Sequence, residues 1–399
     1  MQINSDELTF LTSGIQELEN APNTPALPMF SERAVAFLSA LSSEILKDKR
    51  TRGFVDVTSY AYWIRKASLH AAMQKYADRD MRLGRGIALH IAPSNVPVNF
   101  AVSMTSSLLA GNITVVRVSD KPFEQVNIIC DAVNKLFESD FADMKKYLII
   151  IRYPHSERTT QELSSVCDIR IIWGGDRTIE TIRAAKLPSR AIEMTFADRH
   201  SAAVINSDYY MEQDADSVAK GFYTDTYYTD QNACSSPRIV IWTGNSVEKA
   251  KERFWAALEK RVKSEYDMKP IQAVDKYTMF CALGMDRKGI KLVSHDNYIL
   301  RTEVDKLTDD LMDFKQNSGY FMEYTAKDLS EIIPILGKRC QTISVLGIDK
   351  KDIVDIVMKN GVRGVDRVVP LGETMGLEFI WDGYKMIEAM TRLIYINEK

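Results

Sequence analysis

The sequence predicts an α/β protein with a mostly parallel sheet and helices on both of its faces. From Gly86 onward, short apolar segments alternate with segments in which apolar residues recur at helical spacing. Continuous apolar strands are typical of parallel sheets, which helices cover on both sides. Small or polar residues follow several of these strands, where such sheets bind their ligands.

The composition is ordinary for a globular protein and argues against a nucleic acid partner and against a membrane span. The chain has 399 residues, Lys+Arg 51, Asp+Glu 54 and a net charge of −3, so no strongly basic face is implied and we expect no nucleic acid partner. The first residues lack the basic and apolar regions of a signal peptide. No apolar run approaches the roughly 20 residues needed to span a bilayer, so we expect no membrane span.

The cysteines and histidines predict neither a metal site nor a disulfide framework. The cysteines show no CxxC pair, which favours a reducing, cytoplasmic compartment. The histidines show no metal-ligand spacing, so we interpret them as structural. These residues are Cys130, Cys167, Cys234, Cys281 and Cys340, and His70, His90, His155, His200 and His295.

Each element is predicted from its pattern, in chain order. Segments 31–46 and 58–76 read as helices, and the proline-containing segment 20–28 as a linker. Apolar strands then alternate with helices at 86–92, 98–109, 113–118, 123–137, 147–153, 158–166, 169–173, 176–185 and 202–205. A second unit is expected to begin near residue 206. Its predicted elements are a helix at 211–227, a strand at 239–242, a helix at 247–262, strands at 298–304, 319–324 and 342–346, and a helix followed by a short strand within 381–396.

Cys234 is the candidate nucleophile. It lies in a polar loop, 228–238, directly before the apolar strand that begins at Ile239. Nearby cations and backbone N–H groups favour the thiolate, which is the attacking form. The alternative is a half-buried loop cysteine with no function.

The loop after the first strand is the second candidate site. It contains Ala92, Pro93, Ser94 and Asn95, and its prolines fix the backbone. The amide of Asn95 could stabilise a developing oxyanion. The alternative is a stiff connector whose asparagine bonds its own backbone.

Two further strand ends suit a nucleotide. Arg117 and Lys121 follow one strand beside Ser119, and cations at this position suit a phosphorylated ligand. The alternative is a pair of solvated charges. The Gly174-Gly175 turn leads into a helix, where a backbone can approach a pyrophosphate. Asp176 could instead be the N-cap of this helix.

Glu193 is the candidate base. A carboxylate within an apolar strand is costly unless it is paired or functional, and a raised pKa would suit a general base. The alternative is a strand residue that faces solvent.

Three segments, taken together, resemble a known family. They are 90–99, 230–238, and 364–372 followed by 381–384. Their order resembles the aldehyde dehydrogenase superfamily and, within it, the LuxC-like acyl-CoA reductases, which are long-chain acyl-thioester reductases. The resemblance covers residues 85–396. It implies an aldehyde dehydrogenase-like fold with a Rossmann-like cofactor domain, an α/β catalytic domain and a C-terminal oligomerisation strand at 393–396.

The resemblance also implies how the chain is divided and what it does. Residues 1–205 would hold N-terminal helices and the NADP(H) domain, 206–370 the catalytic domain, and 371–399 the return and oligomerisation segment of a homo-oligomer. The implied reaction is the NADPH-dependent reduction of an acyl thioester to an aldehyde through an acyl-cysteine on Cys234. The acyl donor would be acyl-CoA or an acylated partner protein, with an acyl-protein synthetase as a further partner.

The resemblance gives the candidate residues their implied roles. Asn95 would complete an oxyanion hole with the backbone N–H of the nucleophile, and Glu193 matches the family's base. Arg117 would bind the adenosine ribose, and an arginine there is compatible with a 2′-phosphate. The implied cofactor-binding residues are Ala92, Pro93, Ser94, Arg117, Ser119, Gly174, Gly175 and Asp176.

The sequence departs from the family pattern at several positions. Glu180 stands where a second glycine usually begins the cofactor helix, so the expected grip on the pyrophosphate differs. The segment after Glu193 lacks the usual Gly-Gly, and Asn232 replaces a glutamine common in dehydrogenases. Since a reductase need not hydrolyse its acyl-enzyme, Glu193 could act in proton handling or nicotinamide positioning. Two alternatives stay open: an acylating aldehyde dehydrogenase that forms acyl-CoA, and a non-reducing acyl-carrier subunit of a multienzyme complex.

Overall fold

The chain forms two compact units. A computed structural model describes residues 5–293 and 296–397, so His295 lies outside the described residues. Unit 1 comprises Met1–Ala197 and Leu377–Lys399, and unit 2 comprises Asp198–Gly376. The functional division at residues 205 and 370 stays a prediction. No helix in the described ranges combines the length and apolar character needed to cross a membrane.

Unit 1 contains a six-stranded sheet with the order β1-β5-β4-β3-β6-β7. Strand β1 is antiparallel to β5, and the other neighbours are parallel, which confirms the predicted sheet type. The central strands are buried on both faces, as their apolar runs predict. The strands of this part are β1 (Thr9–Thr12), β2 (Arg82–Gly84), β3 (Ile87–Ile91), β4 (Ile113–Arg117), β5 (Leu148–Arg152), β6 (Ile169–Trp173) and β7 (Ile192–Phe196).

In unit 1, the helix at Ile15–Asn20 was not predicted, and one predicted helix is divided in two. A single helix over 58–76 is wrong, because Arg65 is extended (φ −64°, ψ 152°) and begins a second helix. The adjoining Ile64 is fully buried. The helices are α1 (Ile15–Asn20), α2 (Glu32–Lys47), α3 (Val55–Trp63), α4 (Lys66–Met73), α5 (Asn99–Ala110), α6 (Glu124–Phe137), α7 (Glu157–Ser164) and α8 (Asp176–Arg183).

Unit 2 contains a seven-stranded sheet with the order β10-β11-β12-β9-β8-β13-β14. Strand β10 is antiparallel to β11, and the remaining pairs are parallel. The strand predicted at 202–205, which the sequence assigned to the first unit, pairs instead within the sheet of unit 2. The strands are β8 (His200–Asn206), β9 (Pro237–Thr243), β10 (Lys291–Leu292), β11 (Leu300–Glu303), β12 (Tyr320–Thr325), β13 (Cys340–Leu346) and β14 (Arg367–Pro370).

The helices of unit 2 include one correction and three additions. A single helix over 211–227 is wrong, because Asp214 caps a new helix by accepting a hydrogen bond from the N–H of Ser217 at 2.8 Å. The helices at Ser207–Met211, Pro270–Asp286 and Lys350–Asn360 were not predicted. The helices are α9 (Ser207–Met211), α10 (Ala215–Asp225), α11 (Val247–Glu265), α12 (Pro270–Asp286) and α13 (Lys350–Asn360).

The C-terminal segment returns to unit 1. It contains β15 (Ile380–Trp381), β16 (Tyr384–Lys385), α14 (Met386–Ala389) and β17 (Thr391–Leu393). The predicted helix within 381–396 is therefore shorter than expected, because Asp382 and Gly383 turn the chain with φ of 47° and 76°. The strand predicted at 393–396 lies instead at Thr391–Leu393, where β17 pairs with β2 in the same chain.

Gly111 has a positive φ and a close backbone neighbour, and we expect an alanine at this position to be destabilising. It ends α5 with φ +91°, and a Cβ atom there would lie 1.9 Å from the carbonyl oxygen of Leu27. Gly111→Ala should lower the free energy of unfolding by about 2 to 4 kcal/mol, as measured by denaturant or thermal unfolding. Gly284→Ala is the matched control, since nothing lies within 4 Å of that Cβ. In α12 it should add about 0.5 to 1 kcal/mol. Equal effects of the two changes would contradict this account.

Candidate active site

The predicted site residues divide between the two units. Unit 2 carries Cys234, and unit 1 carries the other candidates. Cys234 is half-buried in a turn that leads into β9. Its backbone carbonyl accepts a hydrogen bond from the Ser201 hydroxyl at 2.8 Å, and this hydroxyl also accepts from the N–H of Thr342 at 3.2 Å. The turn is therefore fixed to the central strands of its own sheet.

Gln231 holds the approach to the Cys234 turn. Asp230 and Gln231 both have positive φ, 53° and 52°, so the backbone bends sharply before the thiol. The buried side-chain amide of Gln231 accepts from the N–H of Gly319 at 2.7 Å. It donates to the carbonyl oxygens of Pro237 at 3.2 Å and Tyr320 at 3.3 Å. One side chain thus bonds the loop to β9 and to the start of β12.

Arg238 is a buried cation beside the same loop. Its guanidinium donates to the carbonyl oxygen of Gln231 at 2.5 Å and to that of Gln316 at 2.7 Å. Burial lowers the pKa of Arg238 to about 10, and the negative charges of Asp198, Cys234 and Asp230 act in the opposite direction. The guanidinium consequently favours a thiolate at Cys234 and also fixes the backbone that presents it.

Lys276 is a buried residue of this half that the sequence did not reveal. Its ammonium on α12 donates to the carbonyl oxygens of Asn297 at 2.6 Å, Ser318 at 2.6 Å and Tyr298 at 3.2 Å. Burial lowers its pKa to about 8. Ser318 precedes Gly319, so Lys276 supports the segment to which Gln231 bonds. No sequence signal identified it, because its partners are backbone carbonyls distant in the chain.

In unit 1, three of the candidate segments meet at one edge of the sheet. Strands β4, β3 and β6 are neighbours and parallel, so the residues after them lie at the same edge. The N–H of Ala92 donates to the carbonyl of Arg117 at 2.9 Å, and Lys121 Nζ donates to the carbonyl of Ser94 at 3.1 Å. Pro93 is half-buried, and Asn95 is exposed. The loops after β3 and β4 therefore contact each other at this edge.

The cations at this edge are already in contact with the protein. Arg117 donates to the carbonyl of Tyr153 at 3.2 Å and lies 3.5 Å from the Asp120 carboxylate. The Ser119 hydroxyl accepts from the N–H of Lys121 at 3.2 Å, so it shapes the turn. The interpretation of Arg117 as a fully solvated charge is wrong, because its side chain is largely buried.

Arg152 adds a cation that sequence analysis missed. It ends β5, and its Nε donates to the carbonyl of Ser119 at 3.1 Å. Its buried Nη2 atom has no hydrogen-bond partner among the described residues. Such a donor fits an anionic group of a nucleotide. The strand was predicted, but its position beside β4 depends on the sheet order, which the sequence does not specify.

The Gly174-Gly175 turn leaves backbone open at the start of α8. Gly175 is the N-cap, so the alternative that Asp176 caps this helix is wrong. A Cβ at Gly174 would lie 3.0 Å from Thr178 Cγ2, whereas nothing lies within 4 Å of a Cβ at Gly175. A ligand phosphate could approach this backbone. Asp176, in the first turn, adds a negative charge that opposes such an anion.

Glu193 is bound by two arginines. Arg170 donates to Oε2 at 2.9 Å from Nε, and Arg183 donates to Oε1 at 2.6 Å. Glu193 is the second residue of β7 and so lies toward the amino end of that strand, away from the edge just described. The alternative of a solvent-facing residue is wrong, since the side chain is 16% exposed and doubly paired. The geometry favours a structural carboxylate, and its role as a base stays a prediction.

The fold is that of the aldehyde dehydrogenases, which confirms the predicted fold class. Aldehyde dehydrogenase 21 from Physcomitrella patens superposes with a TM-score of 0.67 at 13% identity, covering 94% of this chain and 87% of that one. At this identity the similarity concerns the fold alone.

The family follows from the sequence comparison. The family model described as acyl-CoA reductase (LuxC) matches residues 57–393. The chain belongs to this LuxC acyl-CoA reductase family, which confirms the resemblance.

Two curated relatives are similar over part of their length. The long-chain acyl-protein thioester reductase of Aliivibrio fischeri is 24% identical over 72% of this chain and 58% of the relative. That of Vibrio harveyi is 25% identical over 53% of this chain and 43% of the relative. The chain thus spans less than two thirds of the length of either relative.

Glu193→Gln tests the structural role of this carboxylate. The change leaves buried Arg170 with a neutral partner and should lower the free energy of unfolding by about 1 to 3 kcal/mol. The alkylation of Cys234 by iodoacetamide should stay within about twofold, because a carboxylate bonded to two arginines is poorly placed to take the proton of the thiol. Glu180→Gln, on the exposed face of α8, is the control. Markedly slower alkylation with unchanged stability would instead support a base.

Proposed function

We propose that the protein reduces an acyl thioester to an aldehyde with NADPH, through an acyl group carried on Cys234. The observation that carries the proposal is the half-buried thiol in a turn fixed by Ser201, Gln231 and Arg238. Preorganisation of a nucleophile beside a cation is what acyl transfer requires. Membership of the LuxC acyl-CoA reductase family supports the same chemistry.

The chain's own residues would perform the acyl transfer. The Cys234 thiolate attacks the thioester carbonyl, a new C–S bond to Cys234 forms, the C–S bond to the donor breaks, and the donor thiolate leaves and takes a proton from solvent. Arg238 favours the thiolate before the attack. Asn95 is the proposed hydrogen-bond donor to the developing oxyanion. When the aldehyde leaves, the C–S bond to Cys234 breaks and the thiolate is restored.

The cofactor would supply the hydride that converts the acyl group into an aldehyde. We assign its binding to the strand-end segments of unit 1, with Ala92, Pro93 and Ser94 in the first loop. The open backbone of Gly174 and Gly175, beside Asp176, would face the pyrophosphate. Arg117 and Lys121, with Ser119 shaping their turn, would face the 2′-phosphate, and the orphaned donor of Arg152 supports an anionic ligand.

The donor and the assembly are part of the proposal. The relatives are named for long-chain acyl-protein thioesters. We therefore propose acyl-CoA or an acylated protein as the donor, with an acyl-protein synthetase as a partner in the second case. The exposed side chains of 393–396 support a homo-oligomer. The five cysteines, all described and all unbridged, support a cytoplasmic location.

Cys234→Ala tests the nucleophile. Incubation of the wild-type chain with myristoyl-CoA should add one acyl mass, which NADPH removes as aldehyde forms and NADPH is consumed. Cys234→Ala should abolish the adduct and lower the turnover by at least about a thousandfold, because no other step begins without the thiolate. Cys281→Ala, which removes an exposed thiol, should behave as wild type. An adduct that survives in Cys234→Ala places the nucleophile elsewhere.

The same assay separates the proposal from its two alternatives. Turnover only from aldehyde, NADP and CoA toward acyl-CoA would identify an acylating aldehyde dehydrogenase. An adduct on Cys234 that persists in NADPH would identify a non-reducing acyl carrier.

Arg117→Gln tests the cofactor preference. Loss of the guanidinium should raise the KM for NADPH about tenfold and change the KM for NADH little, because NADH has no 2′-phosphate. Steady-state kinetics with both cofactors measure this ratio. Arg52→Gln, at an exposed position of unit 1, is the control. Equal increases for both cofactors would contradict a role in phosphate recognition.

A further inference from the structure

The segment 371–376 after β14, which the sequence predicted to belong to the C-terminal return, contacts the Cys234 turn. Met375 Sδ lies 3.8 Å from the hydroxyl of Ser235, the residue that directly follows Cys234. Ser235 is buried, and Met375 is half-buried. Both residues belong to unit 2. The segment therefore forms part of the immediate surroundings of the candidate nucleophile.

A single buried carboxylate fixes this segment. Asp225, the last residue of α10, is fully buried and accepts hydrogen bonds from the backbone N–H groups of Gly372 at 2.6 Å and Thr374 at 2.9 Å. Arg367 adds support from the other side, because its guanidinium donates to the carbonyl of Thr374 at 3.1 Å. Side chains thus bond both N–H groups and a carbonyl group of the segment's backbone.

Two glycines let the segment approach α10 closely. A Cβ at Gly221 would lie 3.1 Å from the Cα of Gly372, and Gly372 itself has φ +94°. Any larger side chain at either position would push the segment away from Asp225. The close approach of the segment to α10, the turn at Gly372 and the hydrogen bonds to Asp225 consequently depend on one another.

The buried charge of Asp225 is costly. Burial raises its pKa to about 6, although the two backbone N–H donors act in the opposite direction. Because N–H groups donate to both of its oxygens, the structure presents a carboxylate in surroundings that disfavour the charge. Perturbed groups of this kind cluster at functional sites, where geometry is maintained at the expense of stability.

We infer that Asp225 is a positioning residue that fixes segment 371–376 beside the Cys234 turn, and that Met375 of this segment contacts the acyl chain of the substrate. The second part rests on the proposed function. A flexible thioether side chain adapts to unbranched apolar groups, so Met375 should favour acyl chains that are long enough to contact it.

Two measurements on the full chain test the inference. Hydrogen exchange reports the protection of the Gly372 and Thr374 amides. Single-turnover acylation of Cys234, followed by intact mass without NADPH, is measured with decanoyl-CoA and with acetyl-CoA. The variants are Asp225→Asn and Met375→Ala. The matched control is Asp216→Asn, an exposed aspartate in the first turn of the same helix, whose carboxylate lies 3.8 Å from Lys260 Nζ.

Asp225→Asn should lower the protection of both amides and slow acylation by decanoyl-CoA about tenfold, because an amide oxygen cannot replace a carboxylate toward two donors. Met375→Ala should leave the protection unchanged and lower the ratio of decanoyl to acetyl rates about tenfold. Asp216→Asn should match the wild type in both measurements.

Unchanged protection and rates in Asp225→Asn would overturn the positioning role. Equal slowing of both donors by Met375→Ala would overturn the contact with the acyl chain, and this variant decides that point even if Asp225→Asn fails to fold. If wild-type Cys234 accepts no acyl group, the proposed function fails. In that case the exchange data on Asp225→Asn still decide the positioning role.

Discussion

The surroundings of the candidate nucleophile depend on the buried guanidinium of Arg238. A loop that enters a buried strand carries backbone carbonyls that need partners, because an unpaired buried polar group is costly. Arg238 supplies several donors at once, bonding the carbonyls of Gln231 and Gln316. The same cation lies close enough to influence the charge of Cys234. Arg238 therefore contributes both to the stability of the loop and to the reactivity of the thiol. The hydrogen bonds of Ser201 and Gln231 add to this support of the turn.

The two carboxylates considered for function differ in their partners. Glu193 bonds two guanidiniums, which satisfy its charge. Asp225 bonds two backbone N–H groups in a fully buried position, and burial raises its pKa to about 6. The sequence drew attention to Glu193 because it interrupts an apolar strand. Asp225 ends an amphipathic helix, where an aspartate is unremarkable in sequence, although the structure gives it the more demanding position.

Local sequence patterns predicted the parallel sheets. They did not identify residues whose roles depend on contacts with distant parts of the chain. The apolar runs that form β3, β4 and β6 identify strands buried on both faces, so the loops after them could be expected at one edge. Arg152 was missed because its relevance follows from the position of β5 beside β4 in the sheet. The helix α12 was missed because exposed apolar residues such as Ile271 and Met285 blur its periodicity. The breaks near Arg65 and Asp214 arise from capping and burial, which override helical spacing.

The pairing of β17 with β2 has a consequence for the order in which the chain can fold during synthesis. The two strands are joined in register through Thr391 and Gly84, so unit 1 is interrupted in sequence by the whole of unit 2. Unit 2 is continuous from Asp198 to Gly376 and can complete its sheet as soon as it leaves the ribosome. The first part of unit 1 must wait for β17 while β2 still presents an unpaired edge. The nucleophile-bearing unit is thus able to mature first, and the early half of the chain is the part most exposed to misassociation and to chaperones.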